Sequence, residues 1–272
     1  MGKSMRDRLR VDPNGLVLAE IDPRSTPGAK NRKKAEARAA ERQLELGRLQ
    51  ERLFAEHGHG VLVVLQGTDT SGKDGTVEHV FSAVNPQGVE VAGFKAPTEQ
   101  ELKHSFLWRI RRRLPTAGRI TIFNRSHYED VLVAKVHELA PPQEIERRYE
   151  QINRFERQVA AGGTTIVKVC LHISPEEQRE RLLARLGDPT KRWKFREADL
   201  DDRDRWTEFQ AAYEIALRRC STDEAPWYVV PADRKWYRNF AITELLVETL
   251  TEMKPQYPQP VLDDAAIRAR LG

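Results

Sequence analysis

The chain has 272 residues, which is enough for one sizeable domain with a buried core. Hydrophobic residues make up 39% and charged residues 32% of it, and no apolar segment is long enough to span a bilayer. A membrane protein is therefore not expected, and because the basic N-terminus lacks a signal-type apolar stretch, we expect the cytoplasm as the location. Lysine and arginine outnumber aspartate and glutamate by 45 to 41, and the arginines cluster, which favours a polyanionic partner.

Predicted helices and strands alternate along the chain. Residues 1–29 carry prolines, glycines and scattered charges and are predicted to form an irregular arm, whereas residues 30–272 are predicted to form a single domain. The strands are predicted at 61–66, 89–94, 119–123, 164–172 and 228–231. The helices are predicted at 30–55, 73–84, 99–113, 141–160, 175–186, 206–219 and 235–253. This alternation predicts an α/β fold with a parallel sheet covered by helices on both faces.

The clearest motif follows the first predicted strand. The apolar run at 61–65 leads to Gly67, and Gly72 and Lys73 follow at the spacing G-x-x-x-x-G-K of a Walker A loop. Backbone N–H groups at the start of the next helix favour a phosphate, and Lys73 can reach its oxygens. The motif narrows the fold to a P-loop kinase-like three-layer sandwich. The residues expected to bind phosphate in this loop are Gly67, Thr70, Ser71, Gly72, Asp74 and Gly75.

Two acids make this loop unusual. The Ser or Thr that commonly follows the lysine as a magnesium ligand is replaced by Asp74, and Asp69 lies inside the loop. Asp74 also suits the first turn of a helix, where the macrodipole favours a negative charge. Asp69 has no such explanation and indicates a hydrated metal ion near the phosphates.

A second group of polar residues follows the strand at 119–123. Because the carboxyl ends of parallel strands form the ligand-binding edge of an open sheet, Asn124, Arg125, Glu129 and Asp130 are candidates for contact with phosphate or metal. The alternative is a capped helix start, in which Ser126 and Glu129 form a capping box of the pattern S-x-x-E. Both interpretations can hold together.

The segment at about 188–206 is charged, carries two tryptophans and lies between predicted helices. It resembles the helical lid of nucleotide kinases, which closes over phosphates and excludes water. Its candidate phosphate contacts are Arg192, Lys194 and Arg205. The alternative is a solvated surface loop.

Taken together, these motifs resemble those of the family-2 polyphosphate kinases, which move phosphoryl groups between inorganic polyphosphate and nucleotides. The resemblance covers about residues 30–258 in order. It rests on LQGTDTSGKDG at 65–75, NPQGV at 85–89, FKAP at 94–97, LWR at 107–109, FNRSHYEDVL at 123–132, WKF at 193–195, APW at 225–227 and PADRKW at 231–236.

The resemblance implies a reversible, magnesium-dependent transfer from polyphosphate to nucleoside mono- or diphosphates (AMP and ADP, possibly GMP and GDP) by a homodimer or homotetramer, with Mn²⁺ as a substitute metal. By position, Asp69 and Asp130 would arrange Mg²⁺, and Lys73 would bind the transferring phosphate. Arg125 would stabilise the transferring charge, and Glu129 would lie near the nucleotide phosphates. Position 124 carries Asn where much of the family has Asp, which resembles the subgroup that accepts both mono- and diphosphates.

A flexible polyanion needs a row of cations rather than one contact. The row predicted here comprises Lys95, Lys103, Arg109, Arg112 and Arg113, with the last three on one face of the helix predicted at 99–113. A helix that arginines merely keep soluble is the alternative.

Two other functions compete with polyphosphate-dependent transfer. An ATP-dependent nucleoside or nucleotide kinase would carry a similar loop and lid, and only an assay of donor and acceptor separates the two. A basic nucleic-acid-binding module is disfavoured, because the chain lacks zinc-ligand spacing and a helix-turn-helix pattern.

Overall fold

Five strands form the centre of the molecule, for which a computed structural model describes residues 3–272. The strands are β1 (Gly60–Gln66), β2 (Val89–Gly93), β3 (Ile120–Asn124), β4 (Thr164–His172) and β5 (Trp227–Pro231). Every neighbouring pair is parallel, and the order across the sheet is β2-β3-β1-β4-β5. The carboxyl ends of all five strands therefore meet at one edge, and the predicted α/β fold is confirmed.

Helices cover both faces of this sheet. Their bounds are α1 (Met5–Leu9), α2 (Arg32–Glu56), α3 (Lys73–Val80), α4 (Trp108–Arg111), α5 (Val133–Val136), α6 (Pro142–Ala161), α7 (Pro175–Gly187), α8 (Ala198–Asp204), α9 (Trp206–Arg219), α10 (Lys235–Met253) and α11 (Asp264–Leu271). None of the helices within residues 3–272 combines the length and the apolarity that a membrane crossing requires.

The central strand explains why the phosphate loop is held firmly. All seven residues of β1 are buried, and they alternate between two hydrophobic clusters. Leu62 and Val64 pack on the side of α6 and α9, whereas Val63 and Leu65 pack on the side of α2 and α10. A strand covered on both faces must be apolar throughout, which is why the run at 61–65 was a clear signal. The loop that follows β1 therefore starts from a strand that is buried along its whole length.

The prediction of one continuous helix over residues 99–113 is wrong. The structure has one 3₁₀ turn at Glu101–Lys103, extended backbone at His104 and the four-residue helix α4. Leu102 is 68% exposed whereas Ile110 is fully buried, so the apolar residues of this segment do not share one helical face. The helix predicted at 73–84 also ends early, at Val80.

The N-terminal arm is more regular than predicted. Helix α1 begins with a capping box between Ser4 and Asp7, and it buries Met5 and Leu9. The carboxylate of Glu248 in α10 accepts hydrogen bonds from the first backbone N–H groups of this helix. The signal was missed because a five-residue helix is too short to show a periodic apolar pattern.

Candidate active site

The loop between β1 and α3 has the backbone of a phosphate cradle. The φ angle is 150° at Gly67, 64° at Thr70 and 106° at Gly72. Positive φ values turn successive N–H groups toward the same side of a loop, where they can bind an anion. The Nζ atom of Lys73 donates hydrogen bonds to the carbonyl oxygens of Gly67 at 2.8 Å and Thr68 at 3.2 Å. The lysine therefore lies over the loop, within reach of a phosphate bound there.

Three hydroxyl groups of this loop are buried without a hydrogen-bond partner among residues 3–272. They belong to Thr68, Thr70 and Ser71. A buried polar group without a partner costs about 1–3 kcal/mol, so three of them in one loop indicate a ligand that supplies several acceptor oxygens. Phosphate meets that requirement.

A cluster of two cations and two anions lies beside the loop. The guanidinium of Arg125 donates to Asp69 Oδ1 at 2.6 Å and to Glu129 Oε2 at 3.2 Å. Burial lowers the pKa of Lys73, and the charge of Arg125 lowers it further against the opposing effect of the acids. Burial acts to raise the pKa of Asp69, but Lys73 and Arg125 together hold it below its ordinary value. Asp69 is therefore a fixed anion that orients Arg125.

The backbone at the end of β3 aims Arg125 at this cluster. Its φ angle is 64°, which costs a residue with a side chain some strain and is typical of functional positions. The second oxygen of Glu129 accepts a hydrogen bond from Gln66 Nε2 at 2.9 Å. The carboxylate of Glu129 is thus used by Gln66 and Arg125 and does not close the capping box of the alternative interpretation. The other half of that interpretation is confirmed, since Ser126 is the N-cap and its Oγ accepts from the backbone N–H of Tyr128 at 3.2 Å.

Asp130 lies in a different environment from Asp69. Its carboxylate oxygens are 3.8 Å from Nη2 of Arg109 and 3.7 Å from Nη1 of Arg148. Its Oδ2 atom is buried and makes no hydrogen bond within residues 3–272. Burial raises the pKa of Asp130 to about 6, although the two arginines oppose the shift. This carboxylate is therefore available for a ligand that Asp69 cannot take without releasing Arg125.

Asp69 and Asp130, the two acids predicted to hold metal, are not part of a larger cluster of metal-ligating side chains among the described residues. Within residues 3–272, no group of three or more His, Cys, Asp or Glu side chains is placed to hold a metal ion. Magnesium, however, commonly binds proteins through one or two carboxylates and completes its shell with substrate oxygens and water. The uncommitted oxygen of Asp130 and the carboxylate of Asp69 fit that kind of site, so the donor set is compatible with Mg²⁺.

The segment at 188–206 lies over the phosphate loop. Lys194 Nζ is 3.0 Å from Asp74 Oδ2, and Asn124 Nδ2 donates to the other oxygen of Asp74 at 2.7 Å. In α8, Asp202 is hydrogen-bonded to His137 Nε2 at 2.6 Å. Burial raises the pKa of Asp202; the hydrogen bond to His137 opposes this shift, and the negative charge of nearby Asp69 adds to it.

Little free space remains between this segment and the loop. The cavity lined by the loop, Arg125, Asp202 and Tyr213 has a volume of about 20 Å³. Such a volume holds a water molecule but no nucleotide, for which cavities of at least ~300 Å³ are typical. To admit a nucleotide in this cavity, the segment would have to move away from the loop, as a lid does. Of its predicted phosphate contacts, Lys194 reaches the loop, Arg192 is exposed, and Arg205 donates to the carbonyl of Val136 at 2.7 Å.

The predicted row of cations on one helix face is also wrong. Arg109 is 8% exposed and turns inward, where Nη1 donates to the carbonyl of Lys95 at 2.7 Å. Arg112 extends over the ring of Trp108, with its Cζ atom 4.8 Å from the centroid. Arg113 pairs with Glu90, whereas Lys95 and Lys103 are exposed. The five side chains are dispersed, and their role in polyphosphate binding stays a prediction.

Two arginines that the sequence did not single out lie directly behind the loop. Arg181 of α7 donates to the carbonyls of Thr70 and Ser71, both at 2.9 Å. Arg238 of α10 is 3% exposed, and its guanidinium packs so closely against Gly72 that a Cβ there would clash. No local pattern marks either arginine, because each is one charged residue within an ordinary helix.

A buried polar network supports the turn that carries Glu129 and Asp130. Lys168 of β4 is fully buried, and Nζ donates to Tyr128 Oη at 2.8 Å and to Glu156. Glu156 also accepts from Tyr128 Oη at 2.9 Å and lies 3.1 Å from Nε2 of His127. Burial acts to raise the pKa of Glu156, but Lys168 and His127 hold it below its ordinary value. The network fixes the 3₁₀ turn His127–Asp130 from beneath.

The Walker A loop at the end of the central strand and the helical lid above it define a P-loop kinase. Residues 29–258 match the family model described as Polyphosphate kinase 2 (PPK2). The chain belongs to the polyphosphate kinase 2 family.

Similar proteins cover nearly the whole chain. The AMP/ADP-polyphosphate phosphotransferase of Meiothermus ruber is 52% identical over 255 residues, which cover 93% of this chain and 96% of the relative. The ADP-polyphosphate phosphotransferase of Rhodopseudomonas palustris is 44% identical, over 79% and 78% of the two chains. The crystal structure of polyphosphate kinase 2 from Arthrobacter aurescens TC1 has a TM-score of 0.95 and 46% identity, over 99% of this chain and 96% of that one.

Proposed function

We propose that this protein transfers phosphoryl groups from inorganic polyphosphate to AMP and ADP, and that GMP and GDP are further acceptors. The observation that carries the proposal is the likeness to the Meiothermus ruber AMP/ADP-polyphosphate phosphotransferase, at 52% identity over almost the full length of both chains. The loop supports it independently, because its three unpartnered hydroxyls and Lys73 suit a ligand made of phosphate.

The residues of the site act by positioning and by neutralising charge, since phosphoryl transfer needs little covalent chemistry from a protein. Lys73 exchanges its contacts with the carbonyls of Gly67 and Thr68 for the phosphate oxygens. Arg125, held in place by Asp69 and Glu129, presents its guanidinium to the transferring group. The lid excludes water once donor and acceptor are bound, so that the phosphoryl group passes to the nucleotide rather than to water.

Magnesium, with manganese as a substitute, is proposed as the metal. Asp69 and Asp130 would hold it together with substrate oxygens and water, and the buried, unpartnered Oδ2 of Asp130 supports this assignment. When bound, the ion would supply positive charge against the phosphate oxygens.

Reversibility and the range of acceptors are further parts of the proposal. The bond broken and the bond formed are both phosphoanhydrides, so the reaction is proposed to be reversible. Asn124 is neutral and bonds Asp74, and the amide at this position is proposed to allow both mono- and diphosphate acceptors. A homodimer or homotetramer stays a prediction, as does the cytoplasmic location.

The test is a donor and acceptor assay of the purified protein. Polyphosphate and magnesium are supplied with AMP, ADP, GMP or GDP in turn, no ATP is added, and the products are separated by ion exchange. We expect ADP and ATP from the adenine nucleotides, a ~10²-fold or larger loss of turnover with Lys73→Ala, and no product with the metal chelated. Phosphorylation only when ATP replaces polyphosphate would instead support the ATP-dependent nucleotide kinase.

A further inference from the structure

A second basic surface lies outside the cavity under the lid. It is an open groove of about 580 Å³ between the end of β5 and the segment that leads into α2. Its charged lining residues are Lys30, Arg32, Asp233, Arg234 and Lys235, and Trp236 closes one side. The arm that forms the opposite wall is tied down, since Tyr237 Oη donates to the carbonyl of Pro27 at 2.8 Å.

The groove adjoins the phosphate loop. The guanidinium of Arg181 donates on one side to the carbonyls of Thr70 and Ser71, and on the other to those of Ala232 and Asp233, at 2.7–3.0 Å. One planar side chain thus spans the distance between the loop and the lining of the groove. The lining of the groove and the phosphate loop are therefore separated by the width of a single guanidinium group.

Three of the four cations of the groove are uncommitted, whereas Arg32 pairs with Glu36 at 2.9 Å. No side-chain hydrogen bond or ion pair within residues 3–272 engages Lys30, Arg234 or Lys235. The single acid, Asp233, is already satisfied: its oxygens accept from the backbone N–H and Oγ of Ser174, both at 2.8 Å. The charge that the groove presents to a ligand is therefore positive.

The start of α10 places these cations where they disfavour the folded protein. Arg234 is its N-cap and Lys235 its first residue, no side chain caps the helix, and the first turn has no acid. Cations at the positive end of a helix dipole repel it. Buried Arg238, in the same first turn, bonds only the amide oxygen of Asn239 and no carboxylate. An anion in the groove would relieve this repulsion.

We propose that the groove binds the units of the polyphosphate chain that extend beyond the phosphate loop. This inference rests on the proposed function. A chain with a charge on every unit gains from cations supplied by two separate segments, Lys30 before α2 and Arg234 with Lys235 at the start of α10, because it can occupy them in many registers. A nucleobase would find one indole but no free carboxylate, since Asp233 is engaged. In contrast with this groove, Arg109 and Arg113 of the row predicted from the sequence are already paired.

The experiment compares long-chain polyphosphate with tripolyphosphate, which is too short to fill loop and groove together. The double variant Arg234→Gln/Lys235→Gln is matched by Arg268→Gln/Arg270→Gln, which removes the same charge from the exposed helix α11. Steady-state kinetics are combined with direct binding of fluorescently labelled long polyphosphate over a range of salt concentrations. Circular dichroism verifies that both variants are folded.

We expect the groove variant to raise the KM and the dissociation constant of long polyphosphate roughly tenfold, and to flatten its log–log salt slope by about 1 to 2. The values for tripolyphosphate and for the nucleotides stay as in the unmodified protein, and the α11 variant changes none of them. Unchanged binding of long polyphosphate, or an equal loss for both chain lengths, would overturn the inference. A failure of the proposed function would give a different result: the unmodified protein would transfer nothing from polyphosphate. The binding measurement would still test the groove in that case.

Discussion

Asp69 and Asp130 lie at the same edge of the sheet, and each faces two cations, yet their pKa values shift in opposite directions. Asp69 accepts a hydrogen bond of 2.6 Å from Arg125 and feels the charge of Lys73, and its pKa is lowered. Asp130 faces Arg109 and Arg148 at 3.7–3.8 Å with no hydrogen bond between the side chains, and its pKa is raised to about 6.

The difference shows that a neighbouring cation does not by itself keep a buried acid ionised. Burial acts to raise the pKa of both carboxylates, and at Asp69 the charges of Lys73 and Arg125 together outweigh it, whereas at Asp130 those of Arg109 and Arg148 do not. Asp69 is consequently a permanent anion that organises Arg125. Asp130, with a pKa of about 6, is a weaker acid than Asp69, and an additional cation such as a metal ion would lower that pKa.

The largest effect is expected from Lys73, the cation shared by the loop and Asp69. Lys73→Ala removes a preorganised charge from the transferring phosphate, so turnover should fall by ~10²-fold or more. The matched control is Lys33→Ala, on the exposed face of α2. Both variants are assayed for polyphosphate-dependent ATP formation and for thermal stability. A folded Lys73→Ala protein with near-normal turnover would remove the lysine from the mechanism.

Asp130→Asn tests whether the carboxylate of Asp130 binds metal. The amide cannot supply a negative charge to the ion, so the Mg²⁺ concentration for half-maximal activity should rise roughly tenfold or more, the scale seen when a group that supports a metal site is lost. Exposed Asp264→Asn in α11 is the control. An unchanged magnesium titration with normal turnover would place the metal elsewhere.

The raised pKa of Asp130 also predicts how stability depends on pH. Since the folded-state value of about 6 exceeds the ordinary value of 3.8, the folded protein binds this proton more tightly than the unfolded chain. The resulting stabilisation is complete below pH 3.8 and is lost as the pH rises through 6, by ~3 kcal/mol in total. Urea unfolding of the unmodified protein and of Asp130→Asn between pH 4 and 7.5 should show this difference, largest at the top of the range. Parallel curves for the two proteins would contradict it.

The sheet and the loop were predictable because their signals are local. An apolar run between turn residues marks each strand, and the Walker A spacing places Lys73 over the loop without knowledge of the rest of the chain. The pattern S-x-x-E was equally local but only its serine acts as a cap, since Gln66 and Arg125 compete for the carboxylate of Glu129 and win it.

The remainder of the site depends on contacts between distant parts of the chain. Arg109 was expected on a solvent-facing helix, but it is drawn inward by Asp130, Glu101 and the carbonyl of Lys95. Arg181 supports the loop from 111 residues away in sequence, through a carbonyl that no motif encodes. Charge and spacing do not show which arginines lie behind a loop and which face the solvent.

The smallest effect is expected at the lid. Its residue Asp202 lies over Asp69, but its contact with Asp74, at the start of α3, is a single exposed ion pair with Lys194. The side chains of Lys194 and Asp74 are 37% and 65% exposed, and such pairs contribute up to about 1 kcal/mol.

The cavity beneath the lid has a volume of only about 20 Å³, so we expect the lid to open, and limited proteolysis of the free protein should cut within 188–205. Polyphosphate with nucleotide should slow that cleavage, because the bound phosphates add contacts to the lid. Lys194→Met should reduce this protection by up to about fivefold, whereas Lys191→Met, which loses a pair with Asp188 inside the lid itself, should leave it unchanged. Cleavage that is equal with and without ligands would favour a plain surface loop over a lid.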